Sequence, residues 1–333
     1  MPRKKVLVTR ATFPDIVDRL AEYADVVRNE DDRVYTRAEL IAGLADKDGG
    51  LISGLDTIDA GVVAGAKRLR VLASFAAGHN NLDLPALSKA GIMAANTPGL
   101  VDQSVADFTW GLMLAAARRV VESNVWLRTG AWQGWAYDQF IGADIHGTTL
   151  GIIGMGRIGQ AVARRAAGFE MTVLYHNRSQ LPAEIETACK ARYIDSKDAL
   201  LKAADHVVLA LPFTPQVQHM IGGRELGLMK PTATLINIAR GGIVDDAALV
   251  EALKARTIAA AALDVFEGEP NVHPGLIGLP NVVLCPHIAS ASISTRRAMA
   301  DLAVDNLLAG LGIGPHAGRP PNLLNPDALV FRG

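Results

Sequence analysis

Short apolar runs alternate with amphipathic stretches from the first residues onward. Lys5–Thr9, Gly50–Ser53 and Arg70–Ser74 read as strands, and between them Asp15–Ala24 and Thr36–Ala45 carry apolar residues at helical spacing. That alternation predicts parallel strands joined by crossover helices. A different middle section follows. Val101–Val121 predicts a helix with Asp102 or Ser104 as N-cap. Its GLMLAAAR run is apolar nearly all round, which places it between elements or between subunits. Thr129–Gly147 predicts a loop rich in Trp and Gly. The pattern then restarts, with strands at Thr149–Ile153, Thr172–His176, His206–Leu211, Thr234–Ile238, Ile258–Asp264 and Val282–Cys285, and a helix at Gly156–Ala167 after the first of them. Ser292–Leu311 predicts a long helix, and a Pro/Gly-rich tail begins at Gly312. The first α/β section ends near Thr97-Pro98 and the second near Pro286. The final helix follows a completed sheet, so it is expected to return to the first section.

A chain of 333 residues is long enough for two domains. Half its residues are hydrophobic and its mean hydropathy is +0.20, which excludes global disorder. The charges nearly cancel, 33 Lys+Arg against 34 Asp+Glu, so no basic excess points to nucleic acid or an anionic membrane. Cys189 and Cys285 form neither a disulfide framework nor a metal-ligand spacing, and no metal is expected. No apolar stretch reaches the ~18 residues of a membrane span. MPRKKVLVTR lacks the apolar run of a signal peptide and reads as a first strand. The expectation is a soluble, cytoplasmic protein.

Chemistry enters at Gly154, Gly156 and Gly159, spaced G-x-G-x-x-G. The spacing alone is weak evidence, but here it follows the strand TLGII and opens the helix RIGQAVARRAAGF, the context a dinucleotide site requires. Gly154 permits the tight turn, Gly156 lets the backbone approach a pyrophosphate, and Gly159 lets helix and strand pack closely. Arg157 and Ile158, between the last two glycines, are taken as cofactor contacts with them. An NAD site usually carries Asp or Glu about 20 residues on, against the ribose hydroxyl. Asn177 stands there instead, followed by Arg178 and Ser179. No carboxylate repels a 2′-phosphate, and a guanidinium fork can pair with one. The residues therefore favour NADP(H), with NAD(H) possible.

Three further segments share one feature. Asn237–Asp245 (NIARGGIVD) places Arg240 at a strand end, Leu263–Pro270 (LDVFEGEP) brings Asp264, Glu267 and Glu269, and Asn281–Ser290 puts His287 just beyond a short strand. Open α/β sheets bind ligands at the carboxyl ends of their strands. Each residue alone has a bland reading as a structural or solvated group. Together they supply what carbonyl reduction needs: a histidine to donate a proton near neutral pH, a carboxylate to orient it, and a guanidinium for a substrate carboxylate.

With these motifs the chain resembles the D-isomer-specific 2-hydroxyacid dehydrogenases over nearly its whole length. GMGRIG, Leu211–Pro215 (LPFTP), NIARGGIVD, LDVFEGEP, PHIAS, Ala77–Asp83 (AGHNNLD) and Asn96-Thr-Pro98 carry the resemblance. Within the family it is most similar to glyoxylate/hydroxypyruvate reductases, including 2-ketogluconate reductase types. The resemblance implies an α/β fold of two Rossmann-like lobes with doubly wound parallel sheets. The substrate-binding lobe would be discontinuous (1–100 and 289–333) around a continuous dinucleotide-binding lobe (101–288). It implies Arg240 as substrate-binding arginine, Glu269 as partner of the histidine, and His287 as proton donor. Glu267 is off the motif position and reads as solvated. Ala77 and Gly78 would bind the substrate carboxylate through backbone N–H groups, and Asp264 would accept from the nicotinamide carboxamide. Val105, Leu211, Pro212, Thr214, Ile238, Ala239, His287 and Ala289 would line the cofactor. Asn177 departs from the acid of NAD-using members.

The implied reaction is NADPH-dependent reduction of a small 2-oxo acid to the D-2-hydroxy acid, with lobe closure excluding water. A dinucleotide-sensing corepressor on the same fold is the alternative from another class. A phosphorylated substrate would need basic residues that Ala73–Asp83 lacks. Size selection is assigned to the Trp132–Ile141 loop and Phe75, and a homodimer is expected through the apolar 101–121 helix.

Overall fold

The computed structural model describes residues 3–332 and divides into two compact units, Met1–Val101 with Ser292–Gly333, and Asp102–Ala291. The first holds strands β1 (Lys4–Val8), β2 (Ala24–Arg28), β3 (Gly49–Ile52), β4 (Val71–Ser74) and β5 (Met93–Ala95). They form one parallel sheet in the order β2-β1-β3-β4-β5. Alternate residues serve opposite faces, as the period of two requires. Val6, Val8, Leu51, Val71 and Ala73 pack with the final helix, Ile293–Gly310, while Leu7, Ile52 and Leu72 pack on the other side. Ser292 caps that helix, accepting from Thr295 N–H at 3.3 Å. Asn306 fixes its depth, donating to the Asn96 carbonyl at 3.0 Å and accepting from Asn322 N–H at 3.0 Å.

The second unit holds β6 (Thr149–Ile153), β7 (Thr172–His176), β8 (Ala191–Tyr193), β9 (His206–Leu209), β10 (Thr234–Asn237), β11 (Ala260–Leu263) and β12 (Val282–Leu284). Their order is β12-β11-β10-β9-β6-β7-β8, all parallel. The chain leaves β6 in opposite directions toward β7 and β9, which makes the end of β6 the switch point of the sheet. Both faces are covered, consistent with near-continuous apolar strands such as AAAL in β11.

Several expectations need correction. The first helix ends at Ala21, and Ala24 already belongs to β2, an edge strand with alternating burial that a helical period absorbed. Strands β5 and β8 are three residues long, too short for a periodic signal. The expected Val101–Val121 helix is two helices, Asp102–Ala117 and Val120–Arg128. Arg119 breaks it with φ of +53°. Its guanidinium closes onto Glu122 at 2.8 Å, and the free Ala117 carbonyl accepts from Ala143 N–H at 2.9 Å. The division between the units falls after Val101 and after Ala291. Ala289 stays with the second unit because its N–H is bound by Asp264 at 2.9 Å.

The apolar 102–117 helix is covered in part by its own unit, with Phe108 and Leu114 left half-buried. Trp110, Leu112 and Met113 are buried, Trp110 donates through Nε1 to the Val162 carbonyl at 3.1 Å, and its ring stacks on Phe169. A run of exposed large apolar residues follows it: Val120, Val121, Val125, Leu127, Trp132, Trp135, Tyr137 and Ile141. Among the described residues, no helix is long and apolar enough to cross a membrane.

Candidate active site

The carboxyl ends of β6, β7 and β9–β12 carry the polar residues that the sequence singled out. The glycine-rich turn leaves β6. Gly154 has φ of +99°, and a Cβ there would lie 2.5 Å from the Ala210 carbonyl oxygen, beside Leu211. A Cβ on Gly159 would meet the Gly154 carbonyl oxygen at 2.3 Å. Both positions therefore require glycine for reasons internal to the fold. Gly156 is different, since nothing lies within 4 Å of its would-be Cβ. It is the N-cap of the helix Arg157–Ala166, and no side chain caps that helix. Free amides beside open space form a ready anion site. The Arg157 side chain is exposed and pairs with Asp102 at 3.1 Å, while Ile158 is half-buried.

Asn177 closes the turn from the next strand, its Oδ1 accepting from Met155 N–H at 2.7 Å. The amide nitrogen of Asn177 has no partner among the described residues, nor has the exposed guanidinium of Arg178. Ser179 is exposed beside them. This edge holds two donor groups and no carboxylate on residues 177–179.

Farther along the sheet, Ile238 and Ala239 follow β10 as buried residues, with Ala239 N–H bound by Asn237 Oδ1 at 3.1 Å. Arg240 comes next and is half-buried. Its Nη1 donates to the Ala239 carbonyl at 2.6 Å, and the other guanidinium nitrogens have no partner among the described residues. Burial pulls Arg240 below its ordinary value, and Glu269 opposes that. A guanidinium this short of hydration is suited to a carboxylate ligand.

Glu269 accepts from Phe266 N–H through Oε1 at 2.9 Å, and its Oε2 lies 2.8 Å from His287 Nδ1. Burial opposes ionisation of Glu269. The His287 hydrogen bond, the Phe266 N–H and the charges of His287 and Arg240 outweigh it, so its carboxyl lies below the ordinary value. The histidine side chain is 48% exposed, against 24% for the glutamate. Nε2 is thus the ring atom left for a substrate.

The backbone of His287 has φ of +53°, a left-handed conformation that costs a non-glycine residue about 1–3 kcal/mol and persists only where the surroundings enforce it. Here Asp264 enforces it. The Asp264 carbonyl accepts from His287 N–H at 2.9 Å, and the carboxylate accepts from Ile288 N–H at 2.8 Å and Ala289 N–H at 2.9 Å. Burial pushes the Asp264 carboxyl up, against those two amides. Both oxygens are committed to the His287 loop, a role that spacing did not reveal. Ala289 also receives Ser104 Oγ on its carbonyl at 3.2 Å, joining the helix of the buried Val105 to this loop. Pro212 and Thr214, beyond β9, are exposed.

Glu267 is not merely solvated, as the sequence had suggested. Its carboxylate lies 2.9 and 3.0 Å from His219 Nε2, and its N–H donates to the buried Asp246 carboxylate at 3.1 Å. His219 and Asp246 escaped notice because their partner is 48 and 21 residues away.

Ala77 and Gly78 follow β4 in the first unit. Asn96 Nδ2 donates to the Ala77 carbonyl at 2.6 Å, and Thr97 binds the Phe75 and Ala76 carbonyls. The N–H groups of Ala77 and Gly78 have no partner among the described residues.

Residues 110–289 match the family model described as D-isomer specific 2-hydroxyacid dehydrogenase, NAD binding domain. The chain is 44% identical to a glyoxylate reductase of Thermococcus gammatolerans, over 99% of this chain and 98% of that one. It is 42% identical to a glyoxylate reductase of Aeropyrum pernix, over 100% and 99%. Among solved structures it is similar to an NADPH-dependent glyoxylate/hydroxypyruvate reductase of Sinorhizobium meliloti in complex with NADP and malonate. That match has a TM-score of 0.82 and 32% identity, covering 98% of each chain.

Proposed function

From the premise that the chain belongs to the D-isomer specific 2-hydroxyacid dehydrogenase family, and is thus an NAD(P)-dependent oxidoreductase, we propose that it reduces a small 2-oxo acid to the D-2-hydroxy acid. Glyoxylate and hydroxypyruvate are the first candidates and 2-ketogluconate the next, with NADPH as the preferred donor. One observation carries this reading: Glu269 and His287 are joined at 2.8 Å at the carboxyl ends of the same sheet whose glycine turn offers free amides, with Arg240 charged beside them.

A bound nicotinamide supplies the hydride to C2 of the substrate. Arg240 holds the substrate carboxylate by its free donors, and the amides of Ala77 and Gly78 are its second anchor. Nε2 of His287 gives its proton to the forming alkoxide. Glu269 keeps Nδ1 as the donor to itself and stabilises the imidazolium before transfer. Arg178 and Asn177 are assigned to the 2′-phosphate. Their donors, with no carboxylate beside them, support the NADPH preference.

The protein is further proposed to be a cytoplasmic homodimer. The surface that supports a dimer is the apolar 101–121 stretch, whose Phe108 and Leu114 are half-buried and whose Val120 and Val121 are exposed, continued by Trp132, Trp135, Tyr137 and Ile141. Light scattering at micromolar concentration should give twice the chain mass, and a monomer mass refutes it. The reaction is tested by steady-state kinetics with glyoxylate, hydroxypyruvate, pyruvate and 2-ketogluconate, each with NADPH and NADH. The highest kcat/KM is expected for glyoxylate or hydroxypyruvate with NADPH. Failure of all four substrates refutes the reaction, and equal or better use of NADH refutes the cofactor preference.

A further inference from the structure

Proton donation by His287 depends on where Glu269 is held, and Glu269 belongs to a turn that few of its own atoms fix. Residues 266–269 lie against the arginine loop so closely that a Cβ on Gly241 would stand 1.7 Å from the Phe266 carbonyl oxygen. Two side chains then grip the neighbouring residue of the turn. The buried Asp246 takes Glu267 N–H at 3.1 Å, and His219 Nε2 meets the Glu267 carboxylate at 2.9 and 3.0 Å. His219 also binds the other arm, since its backbone N–H donates to the Gly242 carbonyl at 2.7 Å. Two residues on, Ile221 N–H donates to the Ile243 carbonyl at 3.1 Å and Asp245 N–H to the Ile221 carbonyl at 3.0 Å. One residue is therefore bonded to the loop of Arg240 by its backbone and to the turn of Glu269 by its ring.

We propose that His219 and Glu267 form a second histidine–carboxylate pair whose work is positional. They clamp the Glu269 turn to the Arg240 loop and so set the hydrogen bond between Glu269 and His287. The proposal rests on the reaction assigned above. Two facts distinguish it from an ordinary surface ion pair. The pair is 40% and 43% exposed, and such pairs contribute little to stability. Yet His219 adopts a left-handed backbone, φ +50°, which strains a side-chain-bearing residue. Stability alone does not account for a strained residue holding an exposed partner. A turn whose displacement by a fraction of an ångström misaligns a proton donor does. Asp246 faces the pair, with Asp245 and His273 around it, and Asp264, Glu269 and Arg240 are the charged groups around His287.

The test compares His219→Asn with Glu267→Gln. Asparagine tolerates the left-handed backbone but is too short to reach Glu267, and glutamine keeps the shape of the glutamate without its charge. The titration midpoint of His287 is followed by NMR of protein labelled with ¹⁵N-histidine, which needs no turnover. If the pair positions Glu269, both variants weaken the Glu269–His287 bond. Both then move the midpoint to lower pH, by about half a pH unit or more, because imidazolium loses its partner. If the pair acts only as charges through space, losing Glu267 lowers the midpoint and losing His219 raises it. Opposite signs, or no movement in either variant, overturn the proposal. Kinetics add a second reading. Reduction should slow about 3–30-fold in kcat in both variants, below the ~10²-fold of a full 1 Å misplacement, with the KM for NADPH within about twofold. His146→Gln, which breaks the more exposed 3.3 Å contact with Glu170, should change neither. A wild-type protein that reduces no 2-oxo acid would sink the reaction, while the NMR signs would still decide the clamp. Should His219→Asn fail to fold, His219→Gly, which also tolerates the left-handed backbone and lacks the ring, should lower the midpoint in the same way. Loss of folding in all three variants would make the pair a stability element and overturn the proposal.

Discussion

Both units are parallel sheets with helices on their faces, and both gather polar residues where their strands end, but they use them differently. In the first unit Asp56 is wholly buried. Its Oδ2 takes Thr9 Oγ1 at 2.5 Å, Ser53 N–H at 2.7 Å and Ser53 Oγ at 2.9 Å. Asn29 is turned inward onto the Thr9 and Arg33 carbonyls, and Asn81 onto those of Ser53 and Asp56. These side chains tie loops together. In the second unit the corresponding ends carry a half-buried guanidinium that donates to the Ala239 carbonyl and keeps other donors free, and a histidine 48% exposed that is held from behind by the half-buried Glu269. The same architecture thus yields a brace in one place and a reactive edge in the other. What separates them is exposure: the Asp56 carboxylate is sealed in, even its unpartnered Oδ1, whereas the groups of the second unit present open atoms outward.

The sharpest way to break that contrast is His287→Ala. It should lower kcat by about 10²–10⁴, the usual size of a general-acid contribution, and leave NADPH binding and thermal stability nearly unchanged. Steady-state kinetics with cofactor titration check it, and a loss of less than about tenfold would move the proton donor elsewhere. Asp56→Ala should do the reverse. Removing a buried acceptor with three donors should cost about 1–3 kcal/mol or more of stability, read from urea unfolding, while kcat per folded molecule stays constant. A catalytic defect without a stability loss would erase the distinction between the two sheet ends.

Glu269→Gln sharpens the picture within the reactive edge. Reduction needs the imidazolium, so its activity should fall on the alkaline side. That limb should move to lower pH when the carboxylate charge is lost. For oxidation of the hydroxy acid, which needs the neutral ring, the acid limb should move to lower pH as well. The check is a pair of pH–rate profiles in both directions, and a static limb would remove Glu269 as the partner. Arg178→Ala should be milder, cutting kcat/KM with NADPH about tenfold for one charge-assisted contact of about 1.5 kcal/mol and sparing NADH. An equal loss with both cofactors would mean a general defect.

The smallest effect belongs to the opposite ends of the second sheet. His206 is buried at the start of β9, with Nδ1 2.6 Å from Thr234 Oγ1. Burial pushes its imidazole below the ordinary value, against the neighbouring Asp205 charge. A base depressed in the folded state lends stability that is complete above its unfolded value of about 6.5 and is lost as pH falls through the folded one. The melting temperature should therefore fall between pH 7.5 and 5.5, and His206→Gln should flatten that dependence. An unchanged slope would show that another group carries it.

Much of this was legible along the chain. Four- and five-residue apolar runs, the glycine turn after TLGII, and the arginine, glutamate and histidine beyond strand ends are local signals. They arise because burial on a sheet and phosphate approach to a turn impose fixed short spacings. What failed did so locally too. Edge and three-residue strands carry too few positions for a period, and nothing in the apolar run 101–121 announces that Arg119 turns left-handed.

The sequence by itself determined the class of fold, the dinucleotide turn, the chemical types at the reactive edge and the absence of an acid at Asn177. The family resemblance already implied Glu269 as the carboxylate for His287. Only the tertiary structure brought Glu267 to His219 and turned the Asp264 carboxylate onto the amides of Ile288 and Ala289. It also showed which residues of the apolar helix its own unit buries, Trp110, Leu112 and Met113 among them. The reason is physical: periodicity is a property of neighbours in sequence, whereas a hydrogen bond depends on the sub-ångström placement of groups tens of residues apart. In this molecule the packing of the 264–270 turn against Gly241 sets that placement.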